Sequence, residues 1–288
     1  MKILVTGATG FIGKHVIDSL SGRGYEIIAT ARREAKDVPE FKQHADVKYV
    51  PCDLDKTDIN FFELFDKPEA VIHLAWHGLP NYKELFHFER NLFSSYFFLK
   101  NLIDNGVKDI SVTGTCFEYG MKNGALNEDM ASDPILPYPL AKDTLRKFLT
   151  YLCQKHDCKL RWIRLFYMYG EGQNPNSLLS QLDRALANKE KTFNMSGGKQ
   201  IRDYLPVEKV AEYIVKISLQ NKVLGIINCC SGKPVTVKDF VQGYLKAKNQ
   251  KIELNMGHYP YPDYEPMEFW GDDRKLKKAL KEFDRLEP

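Results

Sequence analysis

The chain has 288 residues, 43% of them hydrophobic and 27% charged, with a formal net charge of +3. This length supports one large domain or two unequal ones with an ample core. The small charge and scattered Lys and Arg argue against a nucleic-acid partner, and no apolar run is long enough to span a bilayer.

The first predicted strand, Lys2–Thr6, runs directly into Gly7, Gly10 and Gly13. In that pattern the first glycine turns the chain off the strand and the second lets a pyrophosphate come close. The third lets the next helix lie tight against the sheet. The helix predicted over 11–21 aims free N–H groups and a positive dipole end at the phosphates, so Thr9, Phe11 and Ile12 complete the segment. The second strand, Glu26–Thr30, ends in Arg32 and Arg33, with no carboxylate before Glu34. Two guanidiniums there suit a 2′-phosphate, so NADPH is expected, with NADH as the alternative.

Strand Val47–Val50 leads to Asp53 and Leu54, where Asp53 can accept from an adenine amino group. A helix over 58–66 and a strand over Ala70–Leu74 follow. Leu74 and the small Ala75 let backbone approach the cofactor, and His73 reads as a core histidine with its polar groups satisfied. A helix over 82–105 precedes a strand from Asp109 to Thr113, with Gly114 and Thr115 at its end.

The helix over 139–157 opens with Tyr138 and Lys142, four residues apart and therefore on one helical face. A tyrosine hydroxyl titrates at about 10, and a neighbouring ammonium stabilises its anion. Lys142 is expected to lower the Tyr138 value and to hold the nicotinamide ribose, while Thr115 holds a substrate oxygen for proton transfer. Trp76, Cys116 and Phe117 adjoin these positions and are candidate substrate contacts.

A strand over Leu160–Phe166 ends the regular alternation, and longer loops rich in Gly, Asn and Pro begin after Gly170. The segment Gly225–Cys230 reads as one more strand. Residues 258–266 hold three prolines that exclude a helix or central strand. Apolar strands separated by helices imply an α/β fold, a doubly wound parallel sheet of Rossmann type. Residues 1–168 would form the dinucleotide-binding domain, with strand 225–230 rejoining it. Residues 169–288 would be mostly a smaller, discontinuous C-terminal substrate-binding lobe.

Cys52, Cys116, Cys153, Cys158, Cys229 and Cys230 show no disulfide framework, and Cys153, His156 and Cys158 form an incomplete ligand set, so no metal is expected. Reduced thiols and a strand beginning at residue 2, which fits neither a signal nor a transit peptide, suggest the cytoplasm.

These residues together resemble the extended short-chain dehydrogenase/reductase family that modifies sugar nucleotides (the NAD-dependent epimerase/dehydratase group). The resemblance runs through the glycine loop, Asp53, His73–Ala75, Asn91, Thr113 to Thr115, Tyr138 and Lys142, then Arg164–Gly170 and Arg202–Tyr204. It implies that Asn91 and Thr113 border the cofactor, that Arg202 contacts a nucleotide diphosphate, and that Asn176, Ser177, Leu178 and Phe193 border the base. Tyr167 stands where many relatives have an asparagine on a substrate phosphate. Cys116 and Phe117 replace the Asp-Glu pair of the 4,6-dehydratases, and neither can move the protons that elimination needs.

Within the family, segments 164–182 and 259–271 look similar to bacterial dTDP-4-dehydro-6-deoxyglucose reductases. The resemblance implies an NADPH-dependent 4-ketoreductase acting on a nucleotide sugar, dTDP-linked, and a homodimer built on helices 82–105 and 139–157. An epimerase, or a non-catalytic NADP(H)-binding sensor, is the alternative.

Overall fold

The computed structural model describes residues 1–56 and 58–286; the last two residues of the expected lobe, 287 and 288, lie outside them. Strands β1 (Lys2–Thr6), β2 (Glu26–Thr30), β3 (Val47–Tyr49), β4 (Ala70–His73) and β5 (Asp109–Thr115) come first. A short strand, β6 (Gly124–Leu126), precedes β7 (Lys159–Leu165), and β12 (Gly225–Cys229) comes much later in the chain. Seven of these build one parallel sheet in the order β12-β7-β5-β4-β1-β2-β3. The order reverses between β1 and β4, and in such sheets ligands bind at that switch, beyond the carboxyl ends of the strands.

Alternating side chains divide between two faces. Ile3, Val5, Ile27 and Ala29 pack with Ile163 and Ile227 under α1 (Phe11–Leu20), α6 (Val207–Leu219) and α8 (Arg274–Asp284). Leu4, Ile28, Val71, Ile110 and Val112 pack under α2 (Phe61–Leu64), α3 (Leu92–Asp104) and α4 (Pro137–His156). The period of two along each strand therefore feeds both cores, which is why the strands read as apolar throughout.

Two helices are shorter than the sequence suggests. The first, α2, covers only four residues: Asn60 caps it through Phe62 and Glu63 N–H groups, and Asp66 and Lys67 leave it with positive φ. The helix expected from 82 starts as a wide turn at His87–Asn91 before α3. Residues 82–86 are committed elsewhere, since the Tyr82 carbonyl accepts from the Tyr138 N–H at 3.1 Å. Conversely α4 begins at Pro137, a residue suited to a first helical turn whose N–H would go unused.

A smaller core joins α5 (Leu178–Ala187), β9 (Thr192–Met195), α7 (Val237–Ala247) and β14 (Glu253–Met256), through Leu179, Leu182, Phe193, Met195, Val237 and Val241. Three further short ladders link this lobe to the sheet. They pair β8 (Tyr167–Tyr169) with β11 (Tyr204–Pro206), β10 (Ile201–Arg202) with β13 (Val235–Thr236), and β15 (Phe269–Gly271) with β6.

Candidate active site

Gly7 has φ of +68°, and a Cβ on it would lie 2.9 Å from the Ala75 nitrogen. The turn off β1 thus needs glycine both for its backbone angle and for the close approach of the Leu74–Ala75 segment. Gly10 is the N-cap of α1, carries no capping side chain, and is followed by no acidic residue in the first turn. The amino end of α1 is therefore open to an anion. A Cβ on Gly13 would meet Ala8 at 2.8 Å, so glycine also sets the contact of α1 with the loop. Phe11 and Ile12 contribute their backbone to this first turn, and Ile12 packs on the core.

A cleft of about 680 Å³ lies over this turn, lined by Gly7, Thr9, Gly10, Arg32, Arg33, Asp53, Leu54, Leu74, Ala75, Trp76 and Asn91. Arg32 reaches His77 Nδ1 at 3.0 Å, whereas Arg33 turns away to donate to the Asp37 carbonyl and lies 3.7 Å from Glu40. Asn91 donates to the His77 carbonyl at 2.8 Å and so fixes one wall. His73 is buried with Thr6 Oγ1 at 2.9 Å and Ser95 Oγ at 3.2 Å on its two ring nitrogens. Burial first, and then the Lys142 charge, bring its pKa down to about 3. It is a structural, neutral imidazole. The shape, the bare helix terminus and the acidic Asp53 fit a dinucleotide.

Beyond the end of β4, Tyr138 and Lys142 share one face of α4, and both are buried. Lys142 Nζ donates to the Thr113 carbonyl at 2.8 Å and lies 4.0 Å from the Trp76 ring centroid. Thr113 therefore acts by anchoring Lys142, and its hydroxyl turns to the His73 carbonyl rather than into the cleft. The Thr115 hydroxyl lies beside that of Tyr138 and eases its ionisation, while its own oxygen accepts from the Phe117 N–H at 3.3 Å. Burial drives the Tyr138 pKa upward, with Tyr82, Glu118 and Cys116 adding to it, and brings Lys142 down to about 7. Desolvation thus outweighs the expected lowering by the ammonium, and Tyr138 is held as a protonated phenol.

Thr115 owes its position to Glu118, whose carboxylate accepts from the Thr115 N–H at 2.8 Å in a reciprocal capping box. The same carboxylate takes Trp162 Nε1 at 3.0 Å and Arg164 Nε at 2.8 Å, all fully buried. Glu118 faces this interior pair and supports the site from behind.

Ring contacts carry the wall onward from the cleft. Trp76 meets Tyr138 at 6.1 Å between centroids, Tyr138 stacks on Tyr82 at 5.6 Å, and Tyr82 meets Phe117 at 5.4 Å. Phe117 in turn meets Tyr167 at 6.2 Å. There a second pocket of about 260 Å³ opens, lined by residues that include Tyr167, Leu178, Phe193, Gln200, Arg202 and Glu265. Arg202 is buried and committed: it donates to the Ile201 carbonyl at 2.8 Å and to Glu265 at 2.8 Å, while Tyr167 donates to the same carboxylate at 2.6 Å.

Not every candidate enters these two spaces. Ser177 is taken up as the N-cap of α5, and the Asn176 carbonyl accepts from Gln181 at 2.6 Å, so neither lines the second pocket. Trp76 lies in the dinucleotide cleft rather than the second pocket, and Cys116 is buried in a small core with Tyr119, Phe166 and Phe269. Tyr82, His87, Gln200 and Glu265 belong to the site without having been singled out. His87 accepts from Trp76 Nε1 at 3.0 Å, so its other nitrogen carries the proton toward the Asn81 carbonyl at 2.9 Å. Its proximity to Tyr138, 5.2 Å between rings, has no local sequence signal.

The model of the NAD dependent epimerase/dehydratase family matches residues 3–230, and the chain belongs to that family, whose members of this kind are oxidoreductases and epimerases of sugar nucleotides. A dTDP-6-deoxy-L-talose 4-dehydrogenase (NAD(+)) of Aggregatibacter actinomycetemcomitans is 28% identical over 272 residues, 94% of this chain and 99% of that protein. CDP-abequose synthase of Salmonella typhimurium is 25% identical over 248 residues, 83% of this chain and 78% of that protein. Among solved structures, the UDP-glucuronic acid 4-epimerase of Bacillus cereus, bound to UDP-glucuronic acid and NAD, superposes with a TM-score of 0.83 at 22% identity. It covers 100% of this chain and 97% of its own, and its likeness shows the Rossmann-like fold. The protein is an enzyme of the oxidoreductase type.

Proposed function

We propose that the protein transfers hydride to and from C4 of a nucleotide-linked 6-deoxyhexose, working as a 4-ketoreductase on a dTDP-linked 4-keto sugar. The carrying observation is Thr115 beside the buried Tyr138, with Lys142 one helical turn on, between the dinucleotide cleft and the second pocket along a continuous aromatic wall. The name of the Aggregatibacter talose relative supports C4 as the reacting carbon, because a 4-dehydrogenase is the same couple run toward oxidation.

When bound, the dinucleotide supplies the hydride. Tyr138 then gives its phenolic proton to the developing C4 alkoxide, while Thr115 donates to the same oxygen and fixes its place. A phenol kept protonated by burial suits that donor role. Lys142, pinned by Thr113, offers its remaining N–H groups to the nicotinamide ribose and its charge to the Tyr138 anion left behind. The relatives' names support NAD(H) as the dinucleotide, and Arg32 at the rim supports NADPH as an accepted reductant beside it. The exposed faces of Phe93, Phe97, Leu140, Phe148 and Tyr151 on α3 and α4 support a homodimer through these helices. The cytoplasm remains the proposed compartment, in keeping with six cysteines that stand unpaired in the structure.

The test is a loss of nicotinamide absorbance with dTDP-4-keto-6-deoxyhexose, in step with formation of a 4-hydroxy product. An epimerase would interconvert its substrates with no net change in that band.

A further inference from the structure

We propose that His87 is a positioning residue of the reaction: by holding Trp76 it keeps an aromatic face on the Lys142 ammonium, which preserves the charge there. The inference deepens the reading of Lys142 as the cation beside the Tyr138 anion, and rests on it.

His87 is fully buried, and both its ring nitrogens are used. An indole N–H can only donate, so Trp76 Nε1 at 3.0 Å makes Nδ1 the acceptor. Nε2 then gives its proton to the Asn81 carbonyl at 2.9 Å. Asn91 Nδ2 adds a longer contact of 3.4 Å to Nδ1. Burial lowers the His87 pKa, the Asn81 bond opposes that fall and the Lys142 charge adds to it, so the imidazole is neutral. The two ring planes are only 14° apart, and the bond thus sets the tilt of the indole.

That tilt puts the indole face over Lys142, whose Nζ lies 4.0 Å from the ring centroid, well inside the ~6 Å reach of a cation–π contact. Tryptophan is the best of the aromatic partners for a cation, and the attraction grows where water is excluded. Lys142 is such a case, since burial pulls its pKa down to about 7. Glu118, beyond the end of β5, opposes the fall, but its carboxylate already serves Arg164, Trp162 and the Thr115 N–H. His73 on β4 and His87 before α3 are neutral, and Tyr138 on α4 is a phenol, so none of the three supplies a countercharge. The indole steadies the ammonium without adding a negative charge beside the hydroxyl that has to ionise.

The experiment titrates the intrinsic tryptophan fluorescence of the full-length protein without substrate and, in parallel, kcat/KM for reduction. Wild type should show a fluorescence transition near pH 7, where the ammonium against Trp76 loses its charge, coincident with the alkaline limb of kcat/KM. The transition should vanish in Lys142→Met and in Trp76→Phe. His87→Asn keeps an acceptor where Nδ1 stands, and His87→Gln keeps the donor toward Asn81, so the pair separates the two bonds. His87→Gln should lower the midpoint and the limb by about one pH unit, the size of a desolvated cation–π contact, while His87→Asn stays near wild type. In Trp76→Phe the limb should also lie lower, and adding His87→Gln should move it no further. Equal midpoints in wild type and His87→Gln, equal shifts in both His87 variants, a further shift in the double variant, or a transition that survives Lys142→Met would overturn the proposal. If a His87 variant fails to bind NADH, Trp76→Phe decides: a lowered limb supports the proposal and a limb at the wild-type pH overturns it. A wild type that reduces no keto sugar would overturn the proposed function, and the fluorescence midpoints, read without substrate, would still decide the hold of His87 on Trp76.

Discussion

Lys142 donates to the carbonyl of Thr113 at 2.8 Å, and that bond pins the first turns of α4 to the end of β5. The strand end carries Thr115 and the helix carries Tyr138, so one contact sets the spacing of all three groups. It also leaves a buried ammonium with Trp76 as its nearest ring, 4.0 Å from the centroid.

Tyr138→Phe removes the proton donor without emptying the volume. Turnover should fall by roughly 10² to 10⁴. Dinucleotide affinity, measured by fluorescence titration, should stay within about twofold, because Tyr138 lies past the end of the cleft that Gly10 and Asp53 line. Unchanged turnover would remove Tyr138 from the mechanism.

The pH profile follows from Lys142. Burial lowers its pKa to about 7, so the ammonium form prevails below that value and is lost above it. Reduction measured as kcat/KM, which reports the free enzyme, should decline as pH rises through about 7. In Lys142→Arg, whose guanidinium keeps its proton, that alkaline limb should move upward even though turnover is lower.

Arg32→Ala tests the choice of dinucleotide. Loss of a charge-assisted hydrogen bond to a 2′-phosphate should reduce kcat/KM for NADPH by about 10- to 100-fold, and for NADH by far less. An equal loss for both would assign Arg32 to the wall it shares with His77.

Glu118→Ala leaves Arg164 buried without its carboxylate and Trp162 without its acceptor. The expected cost is about 3–5 kcal/mol in urea unfolding, the usual result of stranding one partner of a buried ion pair. Burial raises the Glu118 pKa and Arg164 opposes that rise, so the pair is best treated as one unit.

Acid should destabilise the protein through His73. Its folded pKa, about 3, is below the ordinary 6.5, so the unfolded chain binds more protons between these values. The stability it contributes is complete above about pH 6.5 and is lost as pH falls toward 3. His73→Asn should flatten the decline of Tm over that interval relative to wild type; an equal slope would contradict the assignment.

What was legible in the sequence was local. Gly7, Gly10 and Gly13 announce the turn because their spacing encodes it, and Tyr138 and Lys142 announce a helical face in the same way. The second pocket is assembled from distant pieces: Glu265 meets Tyr167 across 98 residues and Arg202 across 63. No period or motif connects them. Burial was the other hidden quantity. The sequence places an ammonium beside a phenol, but the sign of the shift at Tyr138 depends on desolvation that only packing by Tyr82, Trp76 and His87 creates. Ser177 shows the converse, a polar residue in a plausible stretch that the helix α5 uses as its own cap.

The most direct measurement uses reduced nicotinamide dinucleotide with both hydrogens at C4 of its ring replaced by deuterium, with dTDP-4-keto-6-deoxyhexose as acceptor and NMR of the product. The account predicts deuterium on C4 of the sugar, with one label delivered per dinucleotide oxidised. A product without label at C4, or label on another carbon, would contradict it.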